Sequence, residues 1–282
     1  MEVTLGHGCL RSVTYPSAVL EPARSARLAA WGTAVLRGEV APVAAIRAIT
    51  GDDEPHQVRA AAGQPARLPD GGLVELFATL AALGVTGLRV VLPRPGDVLG
   101  LPGPADFNLA AVEAEECVLT EPLPDGSAWG LVPQITPFGS AWEPGTMVDW
   151  QVYGVQPRRV TDVGSLAEAE RELREALREV TEALAGLDVS RWRDDAAERI
   201  AALRSGQLPS GALPPTAPGR SAAVLATALR GSAIVELAAE DDGGAVTLHE
   251  AQARRRALHG LDGVTRRAVT AAVNALLEPR AP

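Results

Sequence analysis

Leu73-Val74-Glu75-Leu76-Phe77-Ala78-Thr79-Leu80-Ala81-Ala82-Leu83-Gly84-Val85-Thr86-Gly87-Leu88-Arg89-Val90-Val91-Leu92 is the stretch whose reading decides the fold. Its first half places Leu73, Leu76, Phe77, Leu80 and Leu83 at i, i+3, i+4 and i+7, the spacing of one helix face. Gly84 stops that helix. Leu88–Leu92 then runs almost continuously apolar with β-branched residues, the pattern of a central strand buried on both faces.

Three more β-like runs follow downstream, Glu116–Glu121, Ala128–Thr136 and Met147–Val155. Pro124-Asp125-Gly126-Ser127 between the first two is a turn signal that predicts a hairpin. In the third, Met147, Asp149, Gln151 and Tyr153 alternate with Val148, Trp150 and Val152, so one face is covered and the other is wetter. Upstream, Pro22 and Pro42 suit first turns of helices that Gly38 and Gly51 end, and His56–Ala62 reads as an edge strand.

Beyond residue 157 the character turns helical. Ser165-Leu166-Ala167-Glu168 is a capping box, and Leu166, Ala169, Leu173, Leu177, Val180, Leu184 and Leu187 recur at three- and four-residue steps. Trp192–Leu203 continues as a second amphipathic helix. Gly206–Gly219 is a tethered crossover or a mobile linker. Ala222–Ala239 reads as a buried helix, with a hairpin of Ile234–Ala238 and Ala245–Leu248 as the competing reading. Thr247-Leu248-His249-Glu250 opens a further helix, and Val264–Leu277 closes the series.

The expected class is therefore α+β: a small mixed or mostly antiparallel sheet with packed helices in the N-terminal half, then an all-helical C-terminal half. Residues 1–156 form the α+β domain and residues 157–282 a helical region packed on it. At 282 residues the chain is long enough to bury its own core without staples.

Composition excludes several chemistries. All 26 of the Lys+Arg residues are arginines, which removes Schiff-base, P-loop and kinase-type lysines together. A net charge of -9 argues against a general nucleic-acid binder, although Arg254, Arg255, Arg256, Arg266 and Arg267 offer local basic groups. Two cysteines, Cys9 and Cys117, make neither a zinc cluster nor a disulfide framework. The N-terminus lacks the basic and apolar regions of a signal peptide, and Ala222–Ala239 is interrupted by Arg230 and Glu236, so a cytoplasmic protein without a membrane span is expected.

Pro93-Arg94-Pro95-Gly96-Asp97-Val98-Leu99-Gly100-Leu101-Pro102-Gly103 joins the Leu88–Leu92 run to a short helix near Pro104–Ala114. Strand, glycine-bearing loop and helix is an order that lets main-chain N–H groups face a ligand at a helix N-terminus. The ligand-binding set expected there is Arg94 as a cation, Asp97, Asn108 as an orienting amide, and Trp142 as a pocket wall with Phe138 and Trp150 nearby in sequence. The alternative is a rigid crossover with aromatics packed beneath it. Asp52, Asp53 and His56 form a polar turn that is a metal candidate, but without calcium-loop or zinc spacing.

No catalytic signature is present: none of His7, His56, His249 and His259 lies near a nucleophile elbow or at metal-binding spacing. Two functions remain open. One is a non-catalytic protein binding a small ligand or a protein partner. The other is an enzyme, a metal-assisted hydrolase or transferase, acting on a small polar or phosphorylated substrate at the 93–108 loop.

Overall fold

The computed structural model describes residues 20–64, 70–140, 143–157, 164–186, 207–239 and 248–278. Helix α1 spans Arg24–Leu36 and α2 Pro42–Thr50, followed by β1 Asp53–Ala60, α3 Leu73–Ala82 and β2 Leu88–Val91. Then come α4 Ala105–Ala114, β3 Cys117–Thr120, β4 Ala128–Gly139 and β5 Pro144–Val155. Among the described residues only helices follow: α5 Leu166–Gly186, α6 Gly219–Ala239, α7 Leu248–Asn274 and a closing 3-10 turn, Ala275–Leu277. The expected helix Trp192–Leu203, Leu187 and the stretch Ala245–Thr247 lie outside the described residues.

Local chemistry explains the elements. Pro42 opens α2, where its missing N–H has no bond to lose. The Glu168 carboxylate accepts the Ser165 N–H at 2.8 Å, and the Ser165 hydroxyl accepts the Glu168 N–H at 3.3 Å, closing the capping box of α5. Gly126, at φ +79°, takes the left-handed position in the β3–β4 turn, where the Leu123 N–H reaches Ser127 O at 2.8 Å. Ile234–Ala238 belongs to α6, so that segment is helix and not the arm of a hairpin.

The strands make one five-stranded mixed sheet in the order β1-β5-β4-β3-β2, with β1 parallel to β5 and the other pairs antiparallel. Side-chain alternation divides its two faces. Val118, Leu131, Val148, Trp150 and Val152 join the larger core with α1, α3 and residues of α5, α6 and α7. Leu119, Val132 and Val155 join a smaller core on the opposite face, where α4 contributes Phe107 and Ala111. There the Phe107 ring lies so close to β4 that a Cβ on Gly130 would meet it at 2.4 Å, which accounts for a glycine inside a strand.

One expectation is corrected. Leu88–Leu92 reads as a central strand, yet β2 lies at the edge of the sheet. It is buried because helices cover it: Leu88 is 1% and Val90 0% exposed. The outward main-chain groups at alternate positions each meet a side chain. The Thr33 hydroxyl accepts the Leu88 N–H at 3.0 Å and lies 3.2 Å from Leu88 O. The Asn274 amide accepts from Val90 N–H at 2.9 Å and donates to Val90 O at 3.0 Å. Arg266 Nη1 donates to Leu92 O at 2.9 Å. An apolar run thus cannot tell a strand flanked by strands from an edge strand roofed by helices.

The 207–219 segment is tethered. Trp31 Nε1 donates to Gly211 O at 2.7 Å, and Leu208, Leu213 and Ala217 pack on the larger core. Helix α6 is long and apolar enough to cross a membrane by length and composition. Its Val224, Leu225, Ala228 and Leu229 are nevertheless core residues, as in a helix buried by neighbouring helices.

Asn274→Leu leaves the Val90 N–H and C=O without partners inside a covered edge. We expect it to cost roughly 2–4 kcal/mol in urea denaturation, on the order of 1–3 kcal/mol per orphaned group less the apolar gain. Asn274→Asp, which keeps the acceptor and loses the donor, falls between Leu and wild type.

Candidate functional site

The loop after β2 is built as a tight link. Arg94 and Asp97 exchange both main-chain bonds, each 2.9 Å long, so residues 94–97 close on themselves. The Arg94 guanidinium is paired with Glu115, whose own backbone adopts the left-handed conformation at the end of α4 (φ 62°). The Asp97 carboxylate lies 3.6 Å from both Arg266 and Arg267 on α7. Asn108 turns back to accept the Gly103 N–H at 2.9 Å.

Of the four expected binding residues, Arg94 lines a cleft of about 280 Å³ between this loop, α6 and α7. Its walls include Glu115, Glu116, Glu236 and Arg266, and neither Asp97 nor Asn108 is among its lining residues. Trp142 lies outside the described residues. Trp150 is fully buried under the sheet, whereas Phe138 is 52% exposed near the end of the β4–β5 hairpin, so these two aromatics are apart. The basic residues of α7 divide as well: Arg254 is buried and donates to Ala238 O at 2.9 Å, while Arg255 and Arg256 are exposed.

Sequence reasoning missed Glu116. Helix α1 begins without a side-chain cap of its own, and the Glu116 carboxylate, 91 positions away, accepts the Ser25 N–H at 2.7 Å. Burial raises the Glu116 pKa, offset in part by the Ser25 hydrogen bonds and by Arg24 and Arg27. No local spacing signals such a cap.

The polar turn at 52–56 is also divided. Asp52 is exposed. Asp53 is gripped by Arg24 in a fork (Nε–Oδ2 2.7 Å, Nη2–Oδ1 3.0 Å), with Arg27 Nη2 at 3.4 Å. Among the described residues no group of three or more His, Cys, Asp or Glu side chains is arranged to hold a metal ion.

His56 goes elsewhere. The β1–β5 register shifts between Asp53 and His56, and this bulge turns Glu54 and Pro55 toward a cleft between α2, β1 and α3. That cleft holds about 520 Å³ and is lined by Ile46, Thr50, Glu54, Pro55, His56 and the start of α3 at Gly72, Leu73 and Val74. Trp150 Nε1–H donates to His56 Nδ1 at 3.2 Å, so the neutral imidazole carries its proton on Nε2. That nitrogen is buried and has no hydrogen-bond partner among the described residues. Burial is the main cause that lowers the His56 pKa to about 4; nearby Asp53 opposes it, and Arg27 and Arg24 add to it. The imidazole is therefore a fixed neutral donor at neutral pH.

Two family descriptions match the chain: "Rv1486c-like protein, N-terminal domain" over residues 25–163 and "Rv1486c-like protein, C-terminal domain" over residues 167–270. The chain is 33% identical over 290 residues to uncharacterized protein Rv1486c of Mycobacterium tuberculosis, covering 92% of this chain and 98% of that one. It is 30% identical over 213 residues to uncharacterized protein ML1804 of Mycobacterium leprae, covering 69% and 70% of the two chains. No solved structure matches.

Two predictions concern these buried groups. Glu116→Gln keeps an acceptor for the Ser25 N–H without a buried charge, so at pH 7 it is as stable as wild type or more so. Glu116→Ala loses about 1–2 kcal/mol with the cap, measured by chemical denaturation. His56 is depressed from 6.5 to about 4, so the unfolded chain takes up its proton first on acidification. The stability it contributes is complete above pH 6.5 and drains away toward pH 4. Relative to wild type, His56→Gln has a shallower fall of melting temperature across that window.

Proposed function

The chain belongs to the Rv1486c-like family along nearly its whole length, and we propose for it the role of a non-catalytic protein that binds a small organic molecule in the His56 cleft. One observation carries this reading: a buried imidazole lines the cleft with its Nε2–H unmatched by any acceptor among the described residues. A volume near 520 Å³ suits a small-molecule site, and the walls are largely apolar with few polar groups. Catalysis by His56 is disfavoured by the same facts. Its Nδ1 already accepts from Trp150, and a group with a pKa of about 4 is a weak base at neutral pH. In this reading residues 1–156 carry the ligand, residues 157–282 brace them, and the setting is the cytoplasm.

A second reading is favoured by Glu116. A buried carboxyl with a raised pKa lines the other cleft, of about 280 Å³, beside Arg94 and Arg266, the surroundings of a general acid facing a polar or phosphorylated substrate. Its capping of α1 already gives that carboxyl a structural task, so we rank this enzyme reading second.

Chemical-shift mapping of the full chain with a set of small uncharged organic fragments separates the two. We expect perturbations to cluster on Ile46, Thr50, His56, Leu73 and Val74. Val74→Trp, at a wall position 54% exposed and so tolerant of bulk, narrows the cleft and weakens that binding by about tenfold, or ~1.4 kcal/mol. Perturbations gathered on Arg94, Glu116 and Arg266 would transfer the function to the second reading.

A further inference from the structure

The cleft of about 280 Å³ is walled by both halves of the chain. Helix α6 faces it with Leu229, Ser232 and Glu236, spaced i, i+3 and i+7 along one helix side. Helix α7 adds Arg266 and Val269, while Leu92, Arg94 and the Glu115–Glu116 pair come from the N-terminal half. Glu116, 8% exposed, is the one buried carboxyl among these walls. Its Oε2 accepts the Ser25 N–H at 2.7 Å. The Ser25 hydroxyl lies near enough to act on the carboxyl but makes no hydrogen bond. Oε1 has no hydrogen-bond partner among the described residues, and unlike His56 Nε2 it is not sealed from water. One oxygen of a buried carboxyl is thus left open on a cleft.

The surrounding charges decide what it meets. Arg94 pairs with Glu115, and Arg24 and Arg27 hold Asp53. Arg266 faces Asp262 and Asp97 and donates to Leu92 O, and Arg267 faces Asp97. Arg230, beside Leu229 in α6, is not free either. Glu21 and Glu236 also line the cleft; both are exposed, and neither has an ion pair among the described residues. A phosphoryl or carboxylate group would therefore meet two unpaired carboxylates, with each of these arginines already engaged. A cation finds the reverse, and Leu92, Leu229 and Val269 offer apolar surface for a short hydrocarbon body.

We propose that this cleft is a second binding site, for a small organic cation whose primary ammonium donates a hydrogen bond to Glu116 Oε1. It is separate from the His56 cleft and does not rest on the reading of that cleft. The Ser232 hydroxyl offers the same head a further acceptor, whereas a quaternary ammonium has no N–H to give. Burial raises the Glu116 pKa, and Ser25, Arg24 and Arg27 oppose it; a bound ammonium acts with the latter and keeps the carboxylate ionised.

Four probes matched in carbon number test this: butylamine, butanol, butyrate and tetramethylammonium, each titrated into the full chain at pH 7. Amide ¹H–¹⁵N spectra provide the readout. Butylamine is expected to shift the Glu116, Ser232 and Glu236 amides, with the other three at least about tenfold weaker. Glu116→Gln keeps an acceptor for the Ser25 N–H but turns an amide NH₂ toward the cleft, so butylamine binding should fall about tenfold. Glu236→Arg, a charge reversal at an exposed position, spares the helix cap and should weaken it about threefold or more. Undiminished butylamine binding by either variant overturns the proposal. So does equal or better binding of butanol, butyrate or tetramethylammonium to the wild-type chain. If none of the four moves these amides the proposal also falls, while the reading of the His56 cleft stands untouched.

Discussion

Main-chain polar groups on the free side of a sheet cannot be left dry, and β2 is where that constraint falls in this fold. Many proteins leave such an edge to water. Here it is roofed by helices, so each outward N–H or C=O needs a side chain to meet it. Thr33 comes from α1, and Asn274 and Arg266 come from α7, at every second residue along the strand. Asn274 imitates a neighbouring strand with one amide. Arg37 ties the same corner from the other side, donating at 2.6 and 2.7 Å to Leu276 O and Leu277 O. The helical half is therefore a structural part of the sheet, and one apolar core runs through both halves.

At the opposite edge of the sheet, β1 is handled differently. Its bulge, and the arginine fork on Asp53, fix the turn ahead of His56 so that this side chain falls between Trp150 and the α2–α3 cleft. Trp150 is wholly buried, so it fixes the ring without competing for the cleft. The two ends of the sheet thus divide the tasks: the β2 end joins the halves, and the β1 end presents a cavity.

Much of the architecture was legible in the sequence, because helix faces, strand alternation, capping boxes and turn glycines are local signals. Ser165 and Glu168 cap α5, and Gly126 turns β3 into β4, for reasons visible within a few residues. The order of strands was not legible, since Leu88–Leu92 reads alike whether strands or helices cover it. The site was less legible still. The polar turn marks His56 in the sequence, but only as a partner of Asp52 and Asp53. Its hydrogen bond to Trp150 spans 94 positions, and no periodicity encodes a contact that remote. The Glu116 cap on α1 is hidden for the same reason. In the 93–108 loop the residue types are legible, but their pairings with Glu115, Arg266 and Gly103 depend on how the loop closes.

The roofed edge also bears on the order in which the molecule can be completed. Val90 and Asn274 are separated by 184 positions, so a ribosome finishes β2 well before the amide that satisfies it exists. During that interval the nascent strand offers a bare pairing template to any passing extended segment, its own copies included. Only when α7 has emerged can Asn274 and Arg266 close that template.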